Sequence, residues 1–134
     1  MLPFKFQTTY IEQLKKLGVV LVYLFGSVAE QLDQPDSDLD LAVLMNAKSA
    51  PRNTLDLYAD LYDIFTQAFP EKKLDIVFLQ RAPLELRFDV ISHGQVLFES
   101  DQQLRLNFEE QTMRQYADFK PILRNIDQAI LNRV

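Results

Sequence analysis

The chain has 134 residues, 48% of them hydrophobic, a size and composition suited to one folded domain with a real core. Its 19 acidic and 14 basic side chains leave a net charge of -5. That balance argues against a surface built to coat DNA or RNA, but not against a small anion that arrives with its own metal ions. With no cysteine there is neither a disulfide framework nor a thiolate zinc site, and no apolar run has signal-peptide or bilayer length, so a cytoplasmic protein without a membrane partner is expected.

Thr8 to Leu17 reads as a short amphipathic helix stopped by Gly18. VVLVYLF, Val19 to Phe25, is rich in β-branched and aromatic residues and reads as a buried strand. A turn-rich stretch from Gln31 to Ser37 leads to a second strand, Leu39 to Met45, and a loop from Asn46 to Asn53 follows. Asn53 or Thr54 can cap a helix running to about Phe69, with Leu57, Leu61, Ile64 and Ala68 on one stripe. LDIVFL, Leu74 to Leu79, is a third strand. Pro83 suits the first turn of another helix, ended by His93-Gly94, and QVLFE, Gln95 to Glu99, is a short fourth strand. From Asp101 a long helix begins, expected to bend or break near Pro121. Its stripe of Leu104, Phe108, Tyr116, Phe119, Leu123, Ile126 and Ile130 is expected to pack on the domain's own sheet. A second row, Ile122, Ile126 and Ile130, leaves room for a partner. There is no repeat, and residues 1–134 read as a single α/β (α+β) domain with about four strands.

The chemistry lies in the carboxylates. Side chains alternate along a strand, so Asp38 and Asp40 point to one side and Leu39 and Leu41 to the other. Their backbones are then about 6 to 7 Å apart, close enough for both acids to converge on one or two hard cations. Asp75 is the one charge in LDIVFL, where a buried carboxylate would need a partner. If the third strand neighbours the second, Asp75 completes a three-acid cluster able to hold two metals about 3.5 to 4 Å apart.

Gly26-Ser27 follows a buried strand and precedes residues that can form a helical turn. A glycine there lets a phosphate approach the backbone, the helix N-terminus offers free N–H groups, and the Ser27 hydroxyl adds a donor. Two other phosphate or metal motifs are excluded. A calcium loop beginning at Asp36 would need Gly and Glu where the chain has Leu41 and Ala47, and no Gly-Lys-Ser/Thr follows Gly26 as a Walker loop requires.

Taken together, LFGS at 24 to 27, SDLDLAV at 37 to 43 and LDIVFL at 74 to 79 resemble the nucleotidyltransferase superfamily that includes DNA polymerase β. At this length the chain is similar to its minimal nucleotidyltransferase (MNT) branch, antitoxins that pair with HEPN-domain ribonuclease toxins. LRFDVISHGQVLFES (86 to 100) and YADFKPIL (116 to 123) resemble that branch less specifically. The resemblance implies a polymerase β-like fold with a mixed sheet and a long C-terminal helix. It implies that Asp38, Asp40 and Asp75 bind two Mg²⁺ ions, that Asp75 orients or deprotonates the acceptor hydroxyl, and that Gly26 and Ser27 hold the β- and γ-phosphates of ATP. It further implies transfer of AMP to a tyrosine hydroxyl of a cognate HEPN toxin, which silences it. Two other functions compete: nucleotidyl transfer to a small hydroxyl such as an aminoglycoside's, and an antitoxin that only masks its partner. Of the remaining polar residues, His93 reads as a surface or capping histidine, Arg81 and Arg87 as solvated or paired, and Tyr23 as a core or rim aromatic.

Overall fold

A computed structural model describes residues 8–26, 38–47 and 53–133. Helix α1 (Thr8–Leu17) leads into strand β1 (Val19–Phe25), and β2 (Asp38–Met45) precedes helix α2 (Thr54–Ala68). Strand β3 (Lys73–Phe78) runs into a short 3-10 turn (Leu79–Arg81), then α3 (Leu84–His93), β4 (Gln95–Glu99) and α4 (Gln102–Leu131). These are the elements expected, with small shifts at their ends. β2 begins one residue early, so both aspartates of the pair lie within the strand. Pro83 stands just outside α3 as its N-cap residue. Asn53 caps α2 by accepting from the Leu55 N–H at 2.8 Å, and Asp101 caps α4 the same way through Gln103.

The four strands form one mixed sheet in the order β3-β2-β1-β4. β1 pairs antiparallel with both β2 and β4, whereas β2 and β3 run parallel. A parallel pair needs a crossover, and α2 supplies it. Helices cover both faces, which is why β1 reads as an unbroken apolar run rather than an alternating one. On one face α1 and α2 close over Val22, Leu24, Leu39, Leu41, Leu74 and Ile76, with Leu14, Leu61, Ile64 and Phe65 set between them. On the other, α3 and α4 bring Val90, Leu86 and Phe108 onto Leu21, Tyr23 and Ala42. This second core is smaller because the β2 positions before Ala42 on that face are Asp38 and Asp40. The helical layer stops where the acids begin.

Two expectations for the last helix require correction. α4 passes through Pro121 without interruption. Proline deprives the carbonyl four residues back of its donor, but Ala117 is exposed, so water can take that place. Nor does the whole apolar stripe pack on the sheet. Phe108 reaches the core and Tyr116 stacks on Phe88 with ring centroids 3.9 Å apart, but Leu104, Ile126 and Ile130 are 41%, 49% and 58% exposed. At about 45 Å the helix outruns the sheet it covers. No helix among the described residues is long and apolar enough to cross a membrane.

Candidate active site

The parallel register sets Asp40 opposite Asp75 and Asp38 opposite Lys73. Register partners share a face of the sheet, so all three carboxylates stand on the side that α3 and α4 leave uncovered. Asp40 is central: Phe25 of β1 lies opposite it on one side and Asp75 on the other. Adjacent strands are about 4.8 Å apart, which fixes the scale of the cluster.

Gly26 closes this row at the end of β1. Its φ of +89° is one that L side chains rarely adopt, and a Cβ built there would collide with the Asp40 carboxylate Oδ2. The backbone at Gly26 is thus pressed against the central acid. Ser27 and the turn proposed after it lie outside the described residues.

Burial first, then the charges of Asp75 and Asp38, push the Asp40 carboxyl above the usual carboxylate range. Three acids repelling one another on an open face, beside a glycine cradle, are a donor set of the kind that holds hard divalent cations. In two respects the site differs from expectation. Asp75 is exposed rather than buried, because β3 is the edge strand and no helix lies over it. Among the described residues no three acids or histidines already close into a cage.

Lys73 was not singled out from the sequence. It lies two residues before Asp75 on the same strand and hence on the acid face, and that spacing was the available signal. Also missed was a polar chain behind the site. Tyr23, 1% exposed, donates from Oη to Glu109 Oε2 at 2.5 Å; Glu109 accepts from Arg105 at 3.0 Å, and Arg105 also pairs with Glu99. Burial, and then the Glu109 carboxylate, push the Tyr23 hydroxyl far up, so it stays protonated. A hydroxyl in an otherwise apolar strand needs an acceptor when buried, and this was the clue. His93 is exposed and lies 3.0 Å from Asp89 of its own helix. Arg81 is exposed on the 3-10 turn, and Arg87 lines a groove between α3 and α4.

The sequence pattern of the family described as polymerase beta, nucleotidyltransferase matches residues 9–103, more than half of the chain and every residue of the acid cluster. The chain belongs to that nucleotidyltransferase family. No curated protein sequence matches this nucleotidyltransferase. Its fold is shared with several solved structures. One, a toxin–antitoxin with AMP-PNP, is 24% identical with a TM-score of 0.67, covering 90% of this chain and 94% of the other. The MntA–HepT toxin–antitoxin is 21% identical with a TM-score of 0.63, covering 93% and 99%. A third, a tri-AMPylated Shewanella oneidensis HEPN toxin in complex with MNT antitoxin, is 23% identical with a TM-score of 0.64, covering 94% and 99%.

Proposed function

We propose that this nucleotidyltransferase is an MNT antitoxin that moves AMP from ATP to a tyrosine hydroxyl of a cognate HEPN ribonuclease toxin and so neutralises it. One observation carries the proposal: Asp38, Asp40 and Asp75 share the part of one sheet face that no described helix covers, with Gly26 against the central acid. The likeness in fold to chains from toxin–antitoxin complexes, one with AMP-PNP and one with an AMPylated toxin, supports the choice of nucleotide and acceptor.

Asp38 and Asp40, together with Asp75, would hold the Mg²⁺ ions, two being expected. Bound there, Mg²⁺ neutralises the triphosphate and the charge that develops on the leaving oxygens. Gly26 would let the β- and γ-phosphates approach the backbone, and Ser27 would add a hydroxyl donor. Asp75 takes the acceptor. Being exposed at the edge of the sheet, it can meet a hydroxyl carried on another protein. Its carboxylate accepts the hydroxyl's hydrogen bond and receives the proton. The tyrosine oxygen forms a bond to the α-phosphorus, the bond between that phosphorus and the α–β bridging oxygen breaks, and pyrophosphate departs with the electron pair. The protein contributes mainly position and fixed charge, the general basis of phosphoryl-group chemistry.

Incubation with α-labelled ATP, Mg²⁺ and the cognate HEPN toxin tests the proposal. Label should appear on the toxin, and Asp38→Asn or Asp40→Asn should abolish it while the fold persists. Undiminished labelling by either variant contradicts the assignment.

A further inference from the structure

Two exposed apolar patches stand apart from the acids, and they occupy opposite faces of the sheet. The first is on α2, where Tyr58 and Tyr62 stack and help line a shallow pocket of about 470 Å³. α2 packs on the face of Leu39 and Leu41, away from the acids. The second is a groove of about 350 Å³ between α3 and α4, lined by Leu84, Arg87, Gln115, Asp118, Phe119 and Ile122. These helices cover the face that carries Tyr23 and Ala42, which is the face of Asp40. A protein seated in the second groove lies on the acid side. One seated on the first has the sheet between itself and the chemistry.

Arg87 defines the occupant. Its Nε is buried and has no hydrogen-bond partner. A guanidinium stays charged, and Arg87 lines the groove, so the partner that suits it is a carboxylate on the docked surface. Past Ile122 the helix continues the apolar surface with Ile126 and Ile130, 49% and 58% exposed. Spaced four residues apart, they form a ridge about 12 Å long from Ile122, the shape that fits between the side-chain rows of another helix.

We infer that the α3/α4 groove, extended along Ile126 and Ile130, is the docking surface for the acceptor protein, which lays an amphipathic helix there and places a carboxylate on Arg87. This rests on the functional reading above and adds where the toxin sits.

The experiment measures association with the HEPN toxin, and its labelling, for wild type, Arg87→Glu, the Ile126→Asp/Ile130→Asp pair, and Tyr62→Asp as the opposite-face control. Both groove variants should bind at least tenfold more weakly and label slowly at low toxin concentration, with rates recovering as toxin is raised. Their binding of Mg²⁺-ATP should equal that of wild type, which also checks the fold. The isoleucine pair lies on exposed helix, so it tests the surface even if Arg87→Glu disturbs α3. Tyr62→Asp should bind as wild type does. Groove variants that bind within twofold of wild type, or a loss confined to Tyr62→Asp, would overturn the inference. A wild type that neither binds nor labels the toxin fails earlier, at the functional reading itself.

Discussion

Asp40 and Gly26 show how closely the site's two demands are joined. Asp40 carries a cost of charge: burial and its two acidic neighbours raise its carboxyl, so the folded protein holds that proton more tightly than the unfolded chain does. In metal-free protein its contribution to stability therefore falls as pH rises from the unfolded aspartate range through the raised folded value. Asp40→Asn should melt higher than wild type at neutral pH in EDTA, and the difference should vanish below the unfolded range; thermal melts across pH would show it. An Asn variant that melts lower at pH 7 would contradict the charge argument. Gly26 carries the steric half. Gly26→Val meets both the positive φ, about 1 to 2 kcal/mol for an L residue, and the Asp40 carboxylate. ATP titration should show a raised ATP requirement together with lost stability, and saturation like that of wild type would place the phosphates elsewhere. The acid pair and the glycine were legible in the sequence because a strand's period of two fixes which side chains share a face. The exposure of Asp75 was not, since strand order, and so which strand forms the edge, depends on pairings far apart in the chain.

At the scale of elements, α4 joins the site to the rest of the molecule. Its first half is fixed through Glu109 to Tyr23, which pairs with Ala42 two residues along β2 from Asp40, and its buried Thr112 contributes a hydroxyl that has no hydrogen-bond partner. Tyr23→Phe should lose about 1.5 to 3 kcal/mol, the range for a hydrogen bond to a charged group. Thr112→Val keeps the shape and removes the unpaired hydroxyl, so it should be neutral or stabilising by about 1 kcal/mol. Chemical denaturation should show a loss for Tyr23→Phe and none for Thr112→Val, and a Thr112→Val loss above about 1 kcal/mol would reveal a hidden partner for the hydroxyl. Periodicity alone located this helix and its cap. It could not say where packing ends, because Phe108 and Ile126 look alike in a repeat of three and four while only the first has a sheet beneath it. Pro121 does not break the helix: its lost hydrogen bond and ring contact are a local cost that the turns on either side outlast.

At the scale of the molecule, the described helices cover only half of one face of the four-stranded sheet. α1 and α2 seal one side, whereas α3 and α4 shelter β1 and leave the acid ends of β2 and β3 open. An acceptor on another protein needs that opening, and a sterically acting antitoxin has no need of three repelling carboxylates there. Asp75 separates these accounts, because Asp75→Asn leaves Asp38 and Asp40 to hold the nucleotide and leaves the α3/α4 surface untouched. The decisive measurement is the intact mass of the HEPN toxin after incubation with ATP, Mg²⁺ and Asp75→Asn protein, beside a wild-type control. Catalysis predicts AMP added by wild type, none added by Asp75→Asn despite a normal complex, and a toxin that remains active once released. AMP added by Asp75→Asn as fast as by wild type, or full and lasting neutralisation with no gain in mass, would contradict it.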